Sequence, residues 1–323
     1  MVSVVASWVT LSARQAAASS PTSTRRREPK RGWTSPSRWW MAARRRSIKA
    51  NSPRSFTVLA IPCDYIAVGA EGPDGYNLGL MRALIVSDIH ANLEALEAVL
   101  ADARARGGFE EVWCLGDVVG YGPDPGACLA LLRGLKLTCI GGNHDYAACG
   151  RAGVEEFNSY AAQAVLWTAS HLKKEEKEFL AGLREVERQE GFTLVHGTLK
   201  EPVWEYLVNQ YAALDTFGRM ESSYCLVGHS HMPFVCTESE GMALFGPFME
   251  DISVRLDSRR LIFNPGSVGQ PRDGDPRASY AMYDGDEAVI TRHRVGYDIG
   301  RVQEKMRRAG LPEYLAERLS HGR

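Results

Sequence analysis

The sequence predicts an α/β protein, and three observations carry that reading. Short apolar runs alternate with stretches of helical spacing over residues 84–231. Five of those runs stop at a residue able to bind a metal ion, and beyond His231 the pattern turns to short β segments. Strand–helix alternation implies parallel pairing through βαβ units. In open α/β sheets, ligands gather outside the carboxyl ends of the strands. Five strands delivering carboxylate, amide and imidazole groups to one edge therefore describe a metal site.

The elements follow in order. LIVSDIH (Leu84 to His90) is the first strand. Leu93, Leu96, Val99, Leu100 and Ala103 then recur at helical spacing, and Gly107-Gly108 ends that helix. VWCLGD (Val112 to Asp117) is the second strand. It leads through a GYGPDPG turn to a helix carrying Cys128, Leu129, Leu131 and Leu132, and LTCIGGNHD (Leu137 to Asp145) is the third strand. Residues 155–183 predict two helices that cap the site edge. The first carries Phe157, Tyr160, Ala164, Val165, Trp167 and Leu172, and the second is the charged KKEEKEFLAGL. TLVHG (Thr193 to Gly197) and YCLVGHSH (Tyr224 to His231) are strands four and five, with a helix at about 209–220 between them. FVCTE, ISVRLD and LIFNPGSVG are further strand candidates. SYAMYDGDEAVITRHRV reads as a hairpin around Asp284-Gly285, and 298–319 as a helix pair around Pro312. No internal repeat is present.

The chain has 323 residues, 45% hydrophobic and 24% charged, which is ordinary globular composition. Its net charge of −1 hides an asymmetry. Residues 1–80 carry 12 Lys and Arg against four Asp and Glu, about +8, which leaves the remainder at −9. An acidic body disfavours nucleic acid, whose binding depends on Lys and Arg neutralising phosphates. The front segment contains RRREPKRG, RWW and ARRRS, holds four of the seven Trp and shows no sustained hydrophobic period. The preferred expectation is a basic, disordered extension ahead of a true start at Met81, with one domain over 81–323. The competing expectation is a transit peptide, because the first 50 residues are Arg-rich, Ser-rich and nearly free of acid. Seven cysteines are scattered singly, without a CxxC pair, which fits a reducing, cytoplasmic setting. No stretch approaches the roughly 20 apolar residues of a membrane span.

The candidate donors are Asp88, His90, Asp117, Asn143, His196, His229 and His231. Seven exceed what one ion takes, since a tetrahedral zinc site uses four. They suit two ions sharing a carboxylate, and Asp117, after Gly116 at a strand end, is the natural bridge. Ions about 3.5–4 Å apart clamp an in-line displacement at phosphorus and acidify a water into hydroxide. His144 is left over from the ligand count and stands next to Asn143, placed to protonate the leaving oxygen or to stabilise the phosphoryl charge. Asp145 is expected to orient that imidazole. Asn92 either faces the site or caps the first helix. Tyr121 and Asp124 line a pocket or simply build the Gly122-Pro123-Asp124-Pro125 turn. His171, His293 and His321 are assigned to the surface or helix ends.

The motifs Asp88-Ile89-His90, Gly116-Asp117, Gly142-Asn143-His144-Asp145, His196 and Gly228-His229-Ser230-His231 stand in order. Together they resemble the pattern of the calcineurin-like metallophosphoesterase superfamily. The resemblance implies a four-layer αββα sandwich, two mixed sheets flanked by helices, with residues 234–295 completing the second sheet. It implies that Asp88, His90 and His231 hold one metal, that Asn143, His196 and His229 hold the other, and that Asp117 bridges. The Gly/Pro-rich segment Asn264–Gly274 resembles a signature of small prokaryotic members. Its Arg272 either clamps a phosphate bidentately or is a solvated turn residue.

The function expected is hydrolysis of a small phosphomonoester or phosphodiester by a metal-bridging hydroxide, with His144 as general acid. Two divalent transition-metal ions are expected, Mn²⁺ first, with Fe, Zn²⁺ or Ni²⁺ as alternatives. The protein Ser/Thr phosphatases carry GDxxDRG and GNHE, whereas this chain has Gly120-Tyr121-Gly122 and Asp145, so phosphoprotein is disfavoured as substrate. Nuclease work is disfavoured for want of a basic, aromatic stripe. The alternative from another class is a non-catalytic scaffold, as in a retromer subunit of this fold that lacks the motif histidine. His144 is present here.

Overall fold

The computed structural model describes residues 81–323. The basic extension expected over 1–80, and Cys63 with it, lies outside the described residues. The chain enters at β1 (Arg82–Val86) and continues through α1 (Leu93–Ala105), β2 (Glu111–Cys114), α2 (Pro125–Arg133) and β3 (Leu137–Cys139). Three helices follow: α3 (Asn143–Cys149), α4 (Ser159–His171) and α5 (Lys174–Ala181). Then come β4 (Val186–Gln189), β5 (Phe192–Val195), α6 (Gln210–Arg219) and β6 (Tyr224–Leu226). The β-rich part holds β7 (Phe234–Ser239), β8 (Met242–Pro247), β9 (Ser253–Arg255), β10 (Leu261–Asn264), β11 (Ala278–Asp284) and β12 (Val289–Val295). The chain closes with α7 (Ile299–Arg308), α8 (Glu313–Glu317) and a 3₁₀ turn, Arg318–His321.

Two six-stranded mixed sheets form, in the orders β3-β2-β1-β11-β12-β9 and β4-β5-β6-β10-β7-β8. β1, β2 and β3 run parallel, as do β5, β6 and β10, because helical crossovers connect the consecutive ones. The remaining pairings are antiparallel. The period of two along each strand explains the layers. In β1, Ala83 and Ile85 point into the space between the sheets, while Leu84 and Val86 point to the helices. A strand buried on both faces reads as an unbroken apolar run, which is why alternation was not visible there.

The core between the sheets includes Ile85, Trp113, Phe192, Leu226, Phe263, Tyr283 and Ile290. Trp113 stacks on Tyr283 at 5.5 Å and packs on Phe192 at 5.2 Å. Burying a large apolar side chain of this kind stabilises by about 1.5–3 kcal/mol. α1 covers the outer face of the first sheet with Ala95, Leu96, Val99, Leu100 and Ala103. α6 covers the second with Ala213 and Phe217, against Val195, Cys225, Cys236 and Ile262. The four-layer sandwich implied by the resemblance is the architecture found.

Some expectations need correction. β4 and β8 were not read from the sequence. β4 (VERQ) is charged, and β8 (MALFGP) is an edge strand exposed over most of its length, so neither shows a half-buried alternation. The hairpin forms with Asp284 opposite Val289, but its turn spans the four residues Gly285 to Ala288 rather than a tight Asp284-Gly285 pair. His293 is not a surface or helix-end residue. It lies on β12, 8% exposed, with Nδ1 2.6 Å from Asp251 Oδ1. The two helices expected over 155–183 form as α4 and α5, with Phe157 and Leu172 just outside the first, the helix at about 209–220 forms as α6, and the pair over 298–319 as α7 and α8. Among the described residues, no helix is long and apolar enough to cross a membrane.

Candidate metal centre

The site lies where the parallel strands stop. The loop after β1 supplies Asp88 and His90, that after β2 Asp117, the start of α3 Asn143 and His144, that after β5 His196, and that after β6 His229 and His231. The backbone there is strained. Asp88, His90, Ala91, Asp117, Tyr121, His229 and His231 all have positive φ, seven of the eleven non-glycine cases among the described residues. Each such conformation costs of order 1 kcal/mol or more and clusters at functional sites. Asp and His tolerate it better than most residues. Gly142 is dictated by space, since a Cβ there would lie 2.1 Å from Asp117 Oδ1.

The donor atoms converge. His231 Nε2 lies 3.2 Å from Asp88 Oδ1 and 3.1 Å from His90 Nε2. Asp117 Oδ2 lies 3.7 Å from His90 Nε2 and 3.3 Å from His196 Nε2. Three sets bring their donor atoms within 4.8 Å of one another: Asp88, His90 and His231; Asp117, His196 and His229; and His90, Asp117 and His144. All of these side chains are buried.

Backbone carbonyls orient the imidazoles. His90 Nδ1 faces Val119 O at 3.2 Å, His196 Nδ1 faces Leu115 O at 2.7 Å, and His231 Nδ1 faces Gln270 O at 2.6 Å. In the neutral ring each of those nitrogens is the donor, which leaves Nε2 with its lone pair inward; His90 and His231 are in that form, and His196 reaches it on losing a proton. His229 is reversed: Nε2 faces Trp204 O at 3.1 Å, so Nδ1 is the inward atom. This outer hydrogen bonding is how proteins aim metal-ligating histidines. Asp88 Oδ2 accepts from Ser87 Oγ at 2.6 Å, and Asp117 Oδ1 accepts from His144 N at 2.9 Å.

The electrostatics of the bare site are unfavourable in a telling way. Burial pulls His90, His229 and His231 well below the ordinary imidazole range, so they are neutral, the form that binds metal. Burial also lowers His144, to about 4. Burial pushes Asp88 up, and the nearby Asp117 charge adds to that. Burial would push Asp117 up too, but His196 and His144 outweigh it and hold the carboxyl far down. His196 is disfavoured as a cation by burial, yet the Asp117 carboxylate raises it to about 10.

The donor set fits divalent ions. Asp88 Oδ1 and Asn143 Oδ1 are buried and accept no hydrogen bond, and His144 Nδ1 is buried without a partner. Orphaned buried oxygens cost free energy unless something positive reaches them. An array of carboxylate, amide oxygen and neutral imidazole is the chemistry such ions accept.

The other residues singled out from sequence fall as follows. Asp145 does not hold His144: its oxygens accept from Gly142 N at 3.0 Å and Val119 N at 3.1 Å, closing the start of α3 and fixing the loop after β2. Asn92 caps α1, accepting from Ala95 N at 3.1 Å, and also donates to Gly269 O at 2.9 Å. Asp124 pairs with Lys305 at 2.5 Å and so anchors α7. Tyr121 is inside the site, its ring 4.6 Å from that of His90 and 4.4 Å from that of His144. Arg272 lies beyond it, Cζ 5.8 Å from the Tyr121 ring centre.

Several residues were missed. Phe157 packs edge-on against His144 at 4.7 Å, Trp204 against Phe157 at 5.2 Å, and Tyr206 stacks on His229 at 3.9 Å. Phe157 was read only as part of a helix capping the site edge, and Trp204 and Tyr206 are aromatic residues in the loop after His196. Ser267 Oγ donates to Asp88 O at 2.7 Å, and Asn264 Nδ2 to Gly228 O at 2.8 Å. The Asn264–Gly274 segment thus braces two ligand loops.

A profile of the calcineurin-like phosphoesterase superfamily domain matches residues 81–288. The chain is 42% identical over 245 residues to an uncharacterised protein of Methanocaldococcus jannaschii, covering 74% of this chain and 97% of that one. It is 30% identical over 215 residues to phosphodiesterase YfcE of Escherichia coli, covering 64% of this chain and 89% of that one. A solved metallophosphoesterase from Sphaerobacter thermophilus superposes with a TM-score of 0.69 at 43% identity, covering 75% of this chain and 99% of that one. The chain belongs to the calcineurin-like phosphoesterase superfamily, a family of metal-dependent phosphoric ester hydrolases, and is such a hydrolase.

Proposed function

We propose that this superfamily member hydrolyses a small phosphomonoester or phosphodiester at a two-ion centre within one catalytic domain, residues 81–323. In this reading Asp88, His90 and His231 hold one divalent ion, Asn143, His196 and His229 the other, and Asp117 is shared. The observation that carries it is the placement of one carboxylate oxygen. Asp117 Oδ2 reaches both His90 Nε2 and His196 Nε2, one imidazole from each set, at 3.7 and 3.3 Å. Divalent ions there would bring a bound water's pKa towards neutrality and polarise the phosphoryl oxygens. Mn²⁺ is the leading candidate, and Fe, Zn²⁺ and Ni²⁺ accept the same donors.

The chain's own residues then do the remaining work. Asp117 is kept in place by the His144 amide. His144 is neutral in the bare protein, and a phosphoryl anion arriving beside it raises its affinity for a proton. It then carries that proton to the leaving oxygen. Tyr121 and Phe157 flank its ring and limit access by water. Six described cysteines are unpaired, which supports a reducing compartment, and we place the protein in the cytoplasm. The acidic body supports a small-molecule substrate over nucleic acid.

The test is release of p-nitrophenol from bis-p-nitrophenyl phosphate by Mn²⁺-loaded protein. His144→Ala is expected to retain its metal and to lose about 10²–10⁴ in turnover. Asp117→Ala is expected to lose metal. Full activity in either variant, or a loaded protein inert on a panel of mono- and diesters, would overturn the assignment and favour the scaffold.

A further inference from the structure

We propose that β8 is a self-association surface. Two copies of this chain pair their β8 strands antiparallel about a two-fold axis at Leu244, and their six-stranded second sheets join into one continuous sheet. The inference is independent of the two-ion reading.

β8 ends its sheet. Among the described residues it pairs with β7 on one side and with no strand on the other. Such an edge offers a row of free N–H and C=O groups and is a template for another strand, which proteins ordinarily guard against with charge or with shortness. The other three edges are guarded. β4 carries Glu187 and Arg188, β9 has three residues and carries Arg255, and β3 has three residues. β8 has six residues, and no charge occurs from Met242 to Met249. Apolar surface gathers there as well. Met242, Leu244, Phe245, Met249 and Ile252 are five of the ten large hydrophobic side chains exposed among the described residues. Met249 and Ile252 stand in the link from β8 to β9, so the apolar strip continues beyond the strand. Concentration of such surface in one place marks an interface, whereas single exposed apolar residues do not.

The order of side chains makes the strand complementary to itself, which is what selects a second copy as the partner. A two-fold interface sets the same patch against itself, so residue i meets j and j meets i. Directly opposed residues of antiparallel strands project to the same face. With Leu244 on the axis it meets its own counterpart, Phe245 meets Ala243 and Met242 meets Gly246. A large side chain therefore faces a small one on either side of the centre, and no like charges are opposed. Phe245 already packs on Phe234 at 5.2 Å, so its ring is held before the second copy arrives. Pro247 has no N–H to give and closes the ladder at its end. β10 and β7 separate β8 from β6, whose following loop carries His229 and His231, so pairing leaves the metal centre open.

The experiment is sedimentation velocity with light scattering on the full chain at micromolar concentration. Wild type is expected at twice the protomer mass. Leu244→Glu sets two carboxylates against each other on the axis and is expected to weaken association about a hundredfold or more, leaving monomer. Leu244→Lys is expected to do the same. An equimolar mixture of the two variants is expected to return to dimer, because opposite charges then meet on the axis. Gly246→Glu fills the space left for Met242 of the second copy. Within its own chain a Cβ there meets nothing nearer than Val235 O at 3.9 Å, so the fold tolerates the change. Circular dichroism matching wild type shows that a variant is folded; if a Leu244 variant is not, Gly246→Glu carries the test. A monomeric wild type, a dimer that survives both glutamate substitutions, or a charge-matched mixture that stays monomeric overturns the proposal.

Discussion

His90 Nε2 stands 3.1 Å from His231 Nε2, across stacked rings whose centres are 4.8 Å apart. Each ring turns its Nδ1 to a carbonyl, so the two inward lone pairs face each other. Both rings are neutral, and Asp88 Oδ1 lies beside them. A cation between these atoms turns mutual repulsion into shared attraction.

Metal should therefore stabilise the fold. Chelation is expected to lower the melting temperature and Mn²⁺ to restore it. At a hundredfold excess over Kd, a site occupied only in the folded state contributes about 2.7 kcal/mol. That corresponds to several degrees at roughly 2–4 °C per kcal/mol. Identical melting curves with chelator and with Mn²⁺ would contradict the site.

Asp88→Asn should separate stability from function. Burial raises the folded pKa of Asp88 above its unfolded value. A carboxyl so raised favours folding while protonated, and that contribution is lost as pH climbs from about 4 through the raised pKa. At pH 8 the metal-free asparagine variant is expected to melt higher than metal-free wild type, yet to bind less metal. A lower melting temperature would show that Asp88 carries a structural role instead.

Metal affinity should rise with pH. Asp88 and His196 both have raised pKa values in the bare protein, so each holds a proton that an incoming ion must displace. Each displaced proton changes affinity by about tenfold per pH unit. Titration in buffers of differing ionisation enthalpy is expected to reveal proton release at pH 6–7. Proton uptake, or none, would show that the ligand set is wrong.

Asp145→Ala should behave as the loss of a brace. Its carboxylate ties Gly142 N and Val119 N, and helix-start caps of this kind contribute about 1 kcal/mol. The variant is expected to melt lower while keeping the wild-type shape of its pH–rate profile. A shifted profile would mean that Asp145 does tune His144.

That last point shows where sequence reading stopped. Asp145 follows His144 directly, which suggested a pair. Consecutive residues on a helix do not face each other, so the two side chains diverge. Arg272 was open for a different reason: an arginine in a Gly/Pro-rich loop has the same local pattern whether it is solvated or turned inward. Asn92 was open because helix capping and site contact require the same residue type at the same place.

The candidate donors proposed here could be picked out by pattern. Asp88, His90, Asp117, Asn143, His196, His229 and His231 each end an apolar run, and parallel strands place their carboxyl ends along one edge. Local periodicity encodes which strands are buried and where they stop, so it determined the class of fold and the chemistry at its rim. It carries no record of which remote segments meet. The antiparallel pairing of β1 with β11, the edge strands β4 and β8, the Asn264–Gly274 brace and the seating of the C-terminal turn beside Arg272 were decided only in three dimensions. Those contacts arise from packing between surfaces far apart along the chain, where no short pattern of residues specifies the partner.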